Sequence, residues 1–342
     1  MSDAFALRYP RAEALGRFLG LLAFALAVFA AVLLLFGKNP LRAYVDVFAS
    51  TLGTAYGWSE TIVKMIPLML TALAVAIPGR IWLINVGGEG QLFIGALAAT
   101  GAALYLAFLP GWLLPVVMAG AGALGGGLWA AASGFLHARG WVSETISTLL
   151  MNYVAVLLVS FVVFGPWKDP EGVNYPQTAE FVPAAILPTL GTTRIHLGLV
   201  FALAALVLWA LVMRRTRWGL EVRAIGGNAE AARRTGIPIG RYVVVLMFIG
   251  GGLAGLAGMA EVSAIQGRLR PSLSPGYGYS GFLIAWMARG HPAGIVAASF
   301  GLAVITAGGD ILQMTQAIPG SVVNILMAVM LFVVLGRQGA RR

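Results

Sequence analysis

The feature that most constrains this chain is a series of apolar runs near twenty residues long, separated by polar segments. A helix of that length spans the ~30 Å hydrocarbon core of a bilayer, and only helices and closed barrels satisfy every backbone group there. Barrel strands would alternate polar and apolar residues over about ten positions, which these runs do not do. The sequence therefore predicts an all-α, polytopic membrane protein.

Composition agrees with this class and excludes several kinds of site. Of the 342 residues, 59% are hydrophobic and 11% are charged, whereas ordinary soluble domains carry about 25% charged residues. The absence of cysteine excludes disulfides, thiolate metal sites and cysteine catalysis. With three histidines, a histidine-rich metal site is not expected either. We expect no metal and no cofactor.

We predict about ten transmembrane helices, some short or broken, in a single transmembrane domain over residues 1–342. The first apolar run has no small-residue cleavage site, so we expect it to be retained. The predicted spans lie near 18–36, 61–78, 80–108, 113–136, 145–165, 196–213, 241–262, 277–289, 292–308 and 319–336.

The basic residues predict the orientation. With the N-terminus inside, 16 of the 23 lysines and arginines fall in cytoplasmic segments, as the positive-inside rule requires. Both termini are then cytoplasmic, in a plasma membrane. This topology accounts for the net charge of +10, so we expect no nucleic-acid binding.

Two polar segments are long enough to carry function. The outer segment 166–196 contains five prolines, so it should be largely extended; it is either a connector or a landing surface for an extracytoplasmic partner. The inner segment 214–241 contains seven arginines. We predict a short helix near 228–236 within it, ended by Gly236, with Ala231 and Ala232 as small contacts and Arg233 and Arg234 able to pair with acidic groups. The alternative is an ordinary solvated basic loop.

Two predicted spans are interrupted by glycine and polar residues, at 84–91 and 275–281. Broken helices at membrane depth are tolerated beside protein or a water-filled cavity, and paired interruptions in opposite halves of a transporter indicate a substrate path. Glu89 would lie about 13 Å from Arg80, near the midplane; it either lines the path or caps the helix that starts at Gln91. The candidate pathway residues are Asn85, Glu89, Gln91, Asn152, Tyr277, Tyr279 and Ser280.

Glycines recur at helical spacing inside the spans, at Gly122-x3-Gly126 and Gly251-x3-Gly255-x2-Gly258. Such spacing predicts close helix–helix packing in lipid. A pore-lining role for some of these glycines is the alternative.

Two functions of other classes are also compatible with these residues. Glu89 allows a secondary transporter driven by an ion gradient. The Gly278–Gly281 sequence fits the GxSG pattern of rhomboid-type intramembrane serine proteases, with His291 as its nearest histidine. Eleven helical residues would separate Ser280 from His291 by about 16 Å, too far for a base to reach its nucleophile.

The segment Gly226–Gly236 (GGNAEAARRTG) resembles the cytoplasmic coupling loop of ABC importer permeases, whose EAA-x3-G core docks on the ATPase. Gly250–Gly258, Ser274–Gly278 and His291–Gly294 follow in that family's order, and Asn85–Gln91 matches upstream. Over roughly residues 60–336 the chain is similar to the nucleoside and simple-sugar branch, related to ribose and branched-chain amino-acid permeases. It lacks the I-x-L-P element that ends the coupling pattern of other branches.

This resemblance implies a transport subunit rather than an enzyme, and the sequence has no Walker-type nucleotide motif of its own. It implies import of a nucleoside or related neutral solute, such as a purine or simple sugar, by alternating access. The implied partners are cytoplasmic ABC ATPases, a second permease that is often a different chain, and an extracytoplasmic binding protein. The implied coupling residues are Glu230, Ala231, Ala232, Arg233, Arg234 and Gly236.

Overall fold

The structure, a computed structural model, describes residues 11–172, 175–316 and 325. Within those residues the regular structure is helical, and no strand is present. The predicted all-α membrane fold is thereby confirmed. The α-helices are α1 Arg11–Leu35, α2 Pro40–Leu52, α3 Ala55–Ala76, α4 Gly88–Tyr105, α5 Leu114–Ala138, α6 Glu144–Phe164, α7 Gly198–Arg215, α8 Arg217–Gly227, α9 Ala229–Arg234, α10 Ile239–Ala260, α11 Tyr277–Ala288 and α12 Pro292–Gln316.

Six helices in the described part of the chain are long and apolar enough to cross a membrane, or seven if the bent pair Leu26–Leu35 and Pro40–Leu52 forms one span. The predicted third and eighth spans are shorter helices, because α4 begins only at Gly88 and α11 has 12 residues. The tenth predicted span, 319–336, lies outside the described residues apart from Ile325, as do Arg8 and the C-terminal arginines. The count of ten and the orientation of the termini stay predictions.

The described residues form two compact units. The first contains the residues up to Gly57 and those from Val304 onward; its core is Phe29, Leu33, Ala43 and Leu312. The second is Trp58–Ala303, and it contains every candidate site residue. The prediction that the whole chain acts as one domain stays a prediction.

The centre of the second unit is built from α4, α5 and α10, packed through the predicted glycines. A Cβ atom on Gly126 of α5 would overlap the carbonyl oxygen of Gly251 on α10, and one on Gly255 would overlap the carbonyl oxygen of Gly122. Gly258 meets the backbone of α4 in the same way. Close backbone approach of this kind needs glycine at the contact, so the packing interpretation is confirmed.

Candidate functional site

The break in the third predicted span is a non-helical stretch that ends where α4 begins at Gly88, and side chains of α6 hold it. The carboxylate of Glu144 accepts a hydrogen bond from the Ile84 amide at 3.2 Å. One turn further, the Thr148 hydroxyl accepts from the Val86 amide at 3.2 Å. Since backbone groups at membrane depth have no water to bond, these contacts make a non-helical segment possible there.

Asn152 completes this stripe, four residues after Thr148 on the same face of α6. Its side-chain amide donates to the Val86 carbonyl at 2.9 Å and accepts from the Gly90 amide at 2.8 Å. Asn152 is 1% exposed, so its hydrogen bonds support the broken segment. Sequence reasoning proposed Asn152 as a pathway residue and missed Glu144 and Thr148; their i, i+4, i+8 spacing was the available signal.

Asn85 and Gln91 pair with each other across the break. The Asn85 Oδ1 atom accepts from Gln91 Nε2 at 2.8 Å and from the Gly87 amide at 3.0 Å. Its Nδ2 atom donates to the Ala74 carbonyl at 3.0 Å and to Gln91 Oε1 at 3.1 Å. Both side chains are buried. These contacts fix the turn from α3 into α4.

Glu89 joins the two interrupted spans. It is 5% exposed, and its Oε2 atom accepts a hydrogen bond from the Gly278 amide at 2.7 Å. The Ser274 hydroxyl is also hydrogen-bonded to it. The carboxylate therefore accepts hydrogen bonds at the start of α11. The cap interpretation had predicted that its hydrogen-bond donors would be backbone amides of α4.

The first turns of α4 and α11 meet at this carboxylate. A Cβ atom on Gly88 would lie 3.4 Å from the Gly278 Cα atom, and one on Gly278 would overlap the Glu89 amide. Helix N-termini carry partial positive charge, so two of them converge on one buried carboxylate. The structure thus brings together Glu89 and the Tyr277–Ser280 turn, which are distant in sequence.

The three remaining candidates differ in accessibility. Tyr277 is buried, and its carbonyl accepts a hydrogen bond from the Thr71 hydroxyl at 3.0 Å. Ser280 is half-buried, whereas the Tyr279 side chain is 46% exposed and hydrogen-bonded to Asn152. Tyr153, which is also exposed and lies near Tyr279, was not proposed from the sequence. Tyr279 is the candidate whose side chain is open beside the Glu89 junction.

The Ser280–His291 pair does not form a protease site. Ser280 lies in the first turn of α11, and His291 follows its end at Ala288. From Ser280 to Ala288 the helix rises about 12 Å at roughly 1.5 Å per residue, and the His291 amide lies against the Ala288 carbonyl at 2.9 Å. No proton transfer spans that distance.

The predicted short helix in the basic segment is present as α9, and α8 precedes it unpredicted. The Asn228 side chain caps α9 by accepting from the Ala231 amide at 3.0 Å. The chain leaves the helix at Gly236, whose φ is 87°, a conformation that glycine adopts without strain. Ala232 is buried within the chain, whereas Ala231 is exposed. Only Ala231 of the two alanines is therefore an outward contact.

The charged face of α9 is exposed. Glu230 pairs with Arg234 at 3.3 Å and with Arg233 at 3.9 Å, and the three side chains are 60–79% exposed. Ion pairs this exposed contribute little to stability. These groups are available to a partner at small energetic cost.

The outer segment is hydrogen-bonded to the stretch of chain that follows α10, from Ser263 to Leu269. The Thr178 amide donates to the Leu269 carbonyl at 3.1 Å, and the Phe181 amide donates to the Gly267 carbonyl at 2.8 Å. The buried Ser263 hydroxyl donates to the Ala185 carbonyl at 2.6 Å. The described residues of this segment belong to the second unit.

Comparison with known proteins decides the family. Residues 57–335 match the family described as the permease component of the branched-chain amino acid transport system. The chain belongs to this permease family. It is 36% identical to the glucose ABC transporter permease protein TsgB13 of Haloferax volcanii, over 93% of this chain and 86% of that protein.

Two further relatives carry nucleoside names. The guanosine ABC transporter permease protein NupP of Bacillus subtilis is 29% identical over 92% of this chain and 91% of its own length. The nucleoside ABC transporter permease protein NupB of Lactococcus lactis is 28% identical, covering 89% and 85% respectively.

The chain is thus an ABC transporter permease subunit, an integral protein of the cytoplasmic membrane and a transport component rather than an enzyme. Permeases of this family work with ATPase subunits and substrate-binding proteins. Family membership excludes the protease. A secondary transporter driven by an ion gradient is also a different class from ABC permeases, so that alternative does not agree with the family.

Proposed function

We propose that this permease imports a nucleoside or a related neutral solute, such as a purine or simple sugar, into the cytoplasm. Transport proceeds by alternating access, and ATP hydrolysis on a separate subunit drives it. The observation that carries the proposal is the exposed, capped helix α9 in the basic segment 214–241, in a chain of an ABC permease family.

The contacts of the structure support the predicted orientation. Segments placed inside by the positive-inside rule meet one another: Arg80 bonds to Gly290, and Trp82 bonds to Gly226. Segments placed outside also meet, since Arg194 pairs with Glu60 at 2.9 Å. We therefore assign α8, α9 and the Arg80 turn to the cytoplasmic face, and the outer segment 166–196 to the landing surface for the binding protein.

The coupling residues are Glu230, Ala231, Ala232, Arg233, Arg234 and Gly236. Glu230, Ala231 and the two arginines form the exposed face that contacts the ATPase, with the arginines pairing to acidic groups there. Ala232 anchors the helix from inside, and Gly236 ends it. Movement of the ATPases then displaces α9 and biases the permease between inward-open and outward-open states.

The pathway proposal centres on the junction of α4 and α11. Of the candidates, Tyr279 presents an accessible aromatic ring and hydroxyl, suited to stacking on a base or sugar ring. The broken segment before α4 is held in place by three side chains, those of Asn85, Gln91 and Asn152. Glu89 joins α4 to α11. Tyr277 and Ser280 form the first turn of α11.

We also propose that residues 1–342 act as one permease domain and pair with a second permease, a different chain. The substrate class rests on the relatives, whose names are divided between glucose and nucleosides.

The experiment compares two glycine substitutions in the reconstituted complex of permeases, ATPases and binding protein. Gly236→Arg places a charged side chain behind α9, whereas Gly140→Arg places one in the exposed turn between α5 and α6. Both glycines have positive φ, 87° and 71°, and a Cβ atom at either meets nothing within 4 Å, so the backbone strain is matched. We expect Gly236→Arg to abolish ATP-driven uptake and Gly140→Arg to retain it. Equal uptake by the two variants would remove the coupling proposal.

A further inference from the structure

The turn between α3 and α4 contacts the basic segment directly. The Trp82 indole nitrogen donates to the Gly226 carbonyl at 2.6 Å. Gly226 is in the last turn of α8, two residues before the Asn228 cap of α9. A Cβ atom on Gly226 would overlap the Arg80 carbonyl oxygen, so the two backbones are in direct contact.

The same turn also holds the far end of α11. The Arg80 guanidinium donates to the Gly290 carbonyl at 2.5 Å, in the link between α11 and α12. Glu89, nine residues after Arg80, accepts from Gly278 in the first turn of α11. One short stretch of chain therefore binds both ends of α11.

The backbone of Trp82 is strained. Its φ is 66°, in the left-handed region that costs residues other than glycine about 1–2 kcal/mol. The side chain is 80% exposed, so burial does not repay this strain. The conformation ends the 3-10 turn Pro78–Ile81, with the Trp82 amide donating to the Gly79 carbonyl at 3.2 Å. In this conformation the exposed indole makes its bond to Gly226.

We propose that Arg80 and Trp82 are positioning residues that transmit movement of α8 and α9 to α11. A displacement of α8 at Gly226 moves Trp82, and the Arg80 turn carries α11 with it through Gly290 and Gly278. The junction at Glu89, where Tyr279 is exposed, then changes its geometry with the state of the ATPase. This inference rests on the proposed docking of the ATPase at α9.

The first test replaces Trp82 with phenylalanine, which keeps an aromatic ring and removes the indole N–H. Trp112→Phe is the control, because Trp112 is similarly exposed, at 75%. In the reconstituted complex we expect Trp82→Phe to keep ATPase binding and ATP hydrolysis. The number of solutes transported per ATP should fall about fivefold, as expected when one hydrogen bond is lost, and Trp112→Phe should match the wild type.

The second test measures the movement itself and does not depend on uptake. The chain has no cysteine, so Met287→Cys gives a single thiol on α11. We expect vanadate trapping with ATP to change its maleimide labelling rate in the wild-type background, and Trp82→Phe to abolish that change. Arg80→Met should behave as Trp82→Phe does, whereas Arg80→Lys, which can still donate, should keep part of the response.

The outcomes separate the inference from the coupling proposal. If Gly236→Arg abolishes uptake while Trp82→Phe keeps the wild-type transport ratio and labelling response, transmission through this turn is wrong and docking at α9 stands. If Trp82→Phe releases the ATPase, the turn belongs to the docking surface, and transmission is again overturned. If Gly236→Arg transports normally, the coupling proposal itself fails.

Discussion

Replacing Gly126 with alanine should destabilise the protein because the added methyl group has no space. At this position on α5 a Cβ atom would overlap the Gly251 carbonyl oxygen, lie 2.8 Å from the Gly255 Cα atom and lie 2.9 Å from the Gln91 carbonyl oxygen. All three atoms belong to the backbones of α10 and α4, so no side chain can rotate away. Whole helices must shift, and overpacking of this kind costs about 1–3 kcal/mol.

A second glycine on α5 provides the matched control. At Gly120 a Cβ atom meets nothing within 4 Å. Glycine to alanine in a helix gains up to about 1 kcal/mol in propensity, and this gain is common to Gly126→Ala and Gly120→Ala. The difference between the two variants therefore isolates the packing cost, about 1–3 kcal/mol.

The assay is unfolding of the purified permease in mixed micelles of mild detergent and dodecyl sulfate, followed by circular dichroism. We expect Gly120→Ala to unfold at or slightly above the wild-type midpoint and Gly126→Ala clearly below it. Equal midpoints for the two variants would refute the packing of α5 against α10 described above.

Three further predictions concern the polar groups. Burial, with the nearby Arg194 charge, lowers the pKa of His196 to about 4, whereas an unfolded histidine titrates near 6.5; its segment should lose about 2 kcal/mol of stability by pH 5. Amide exchange at Leu197, corrected for its intrinsic rate, should show this loss, and His196→Asn should remove the pH dependence. Asn152→Ala leaves the buried Gly90 amide and the partly buried Val86 carbonyl without their partner, so it should cost about 1–3 kcal/mol in the same unfolding assay; an unchanged midpoint would contradict its supporting role. Glu89→Gln keeps an acceptor for α11 and should retain most ATP-driven uptake, whereas Glu89→Ala should lose it; loss in both variants would indicate that the carboxylate charge is needed.

The sequence predicted the structure best where one residue type has one common structural role. Glycines at helical spacing predicted where helices touch, and the polar interruption at 84–91 predicted where a span breaks. Gly236 follows the end of α9, as the sequence predicted, whereas the Asn228 cap is seen only in the structure. Each of these features is visible in a short stretch of sequence, so it can be predicted without knowing which distant segments make contact.

The remaining features depend on contacts between distant segments. Glu89 is recognisable as a buried carboxylate, but its partner Gly278 is 189 residues away. The amide side chains resembled pathway residues because the sequence does not show which backbone groups they satisfy. The helix α2 was missed because it is short and amphipathic, so it gives no continuous apolar run.

ATP-driven import is tested most directly by solute uptake into proteoliposomes that contain the full complex. ATP is placed inside, and labelled guanosine or glucose is placed outside together with the binding protein. We expect accumulation of at least one of these solutes that requires ATP hydrolysis, survives collapse of the ion gradients and is abolished by Gly236→Arg. Uptake that persists without the ATPase and stops when the proton gradient is collapsed would contradict ATP-driven import by this chain.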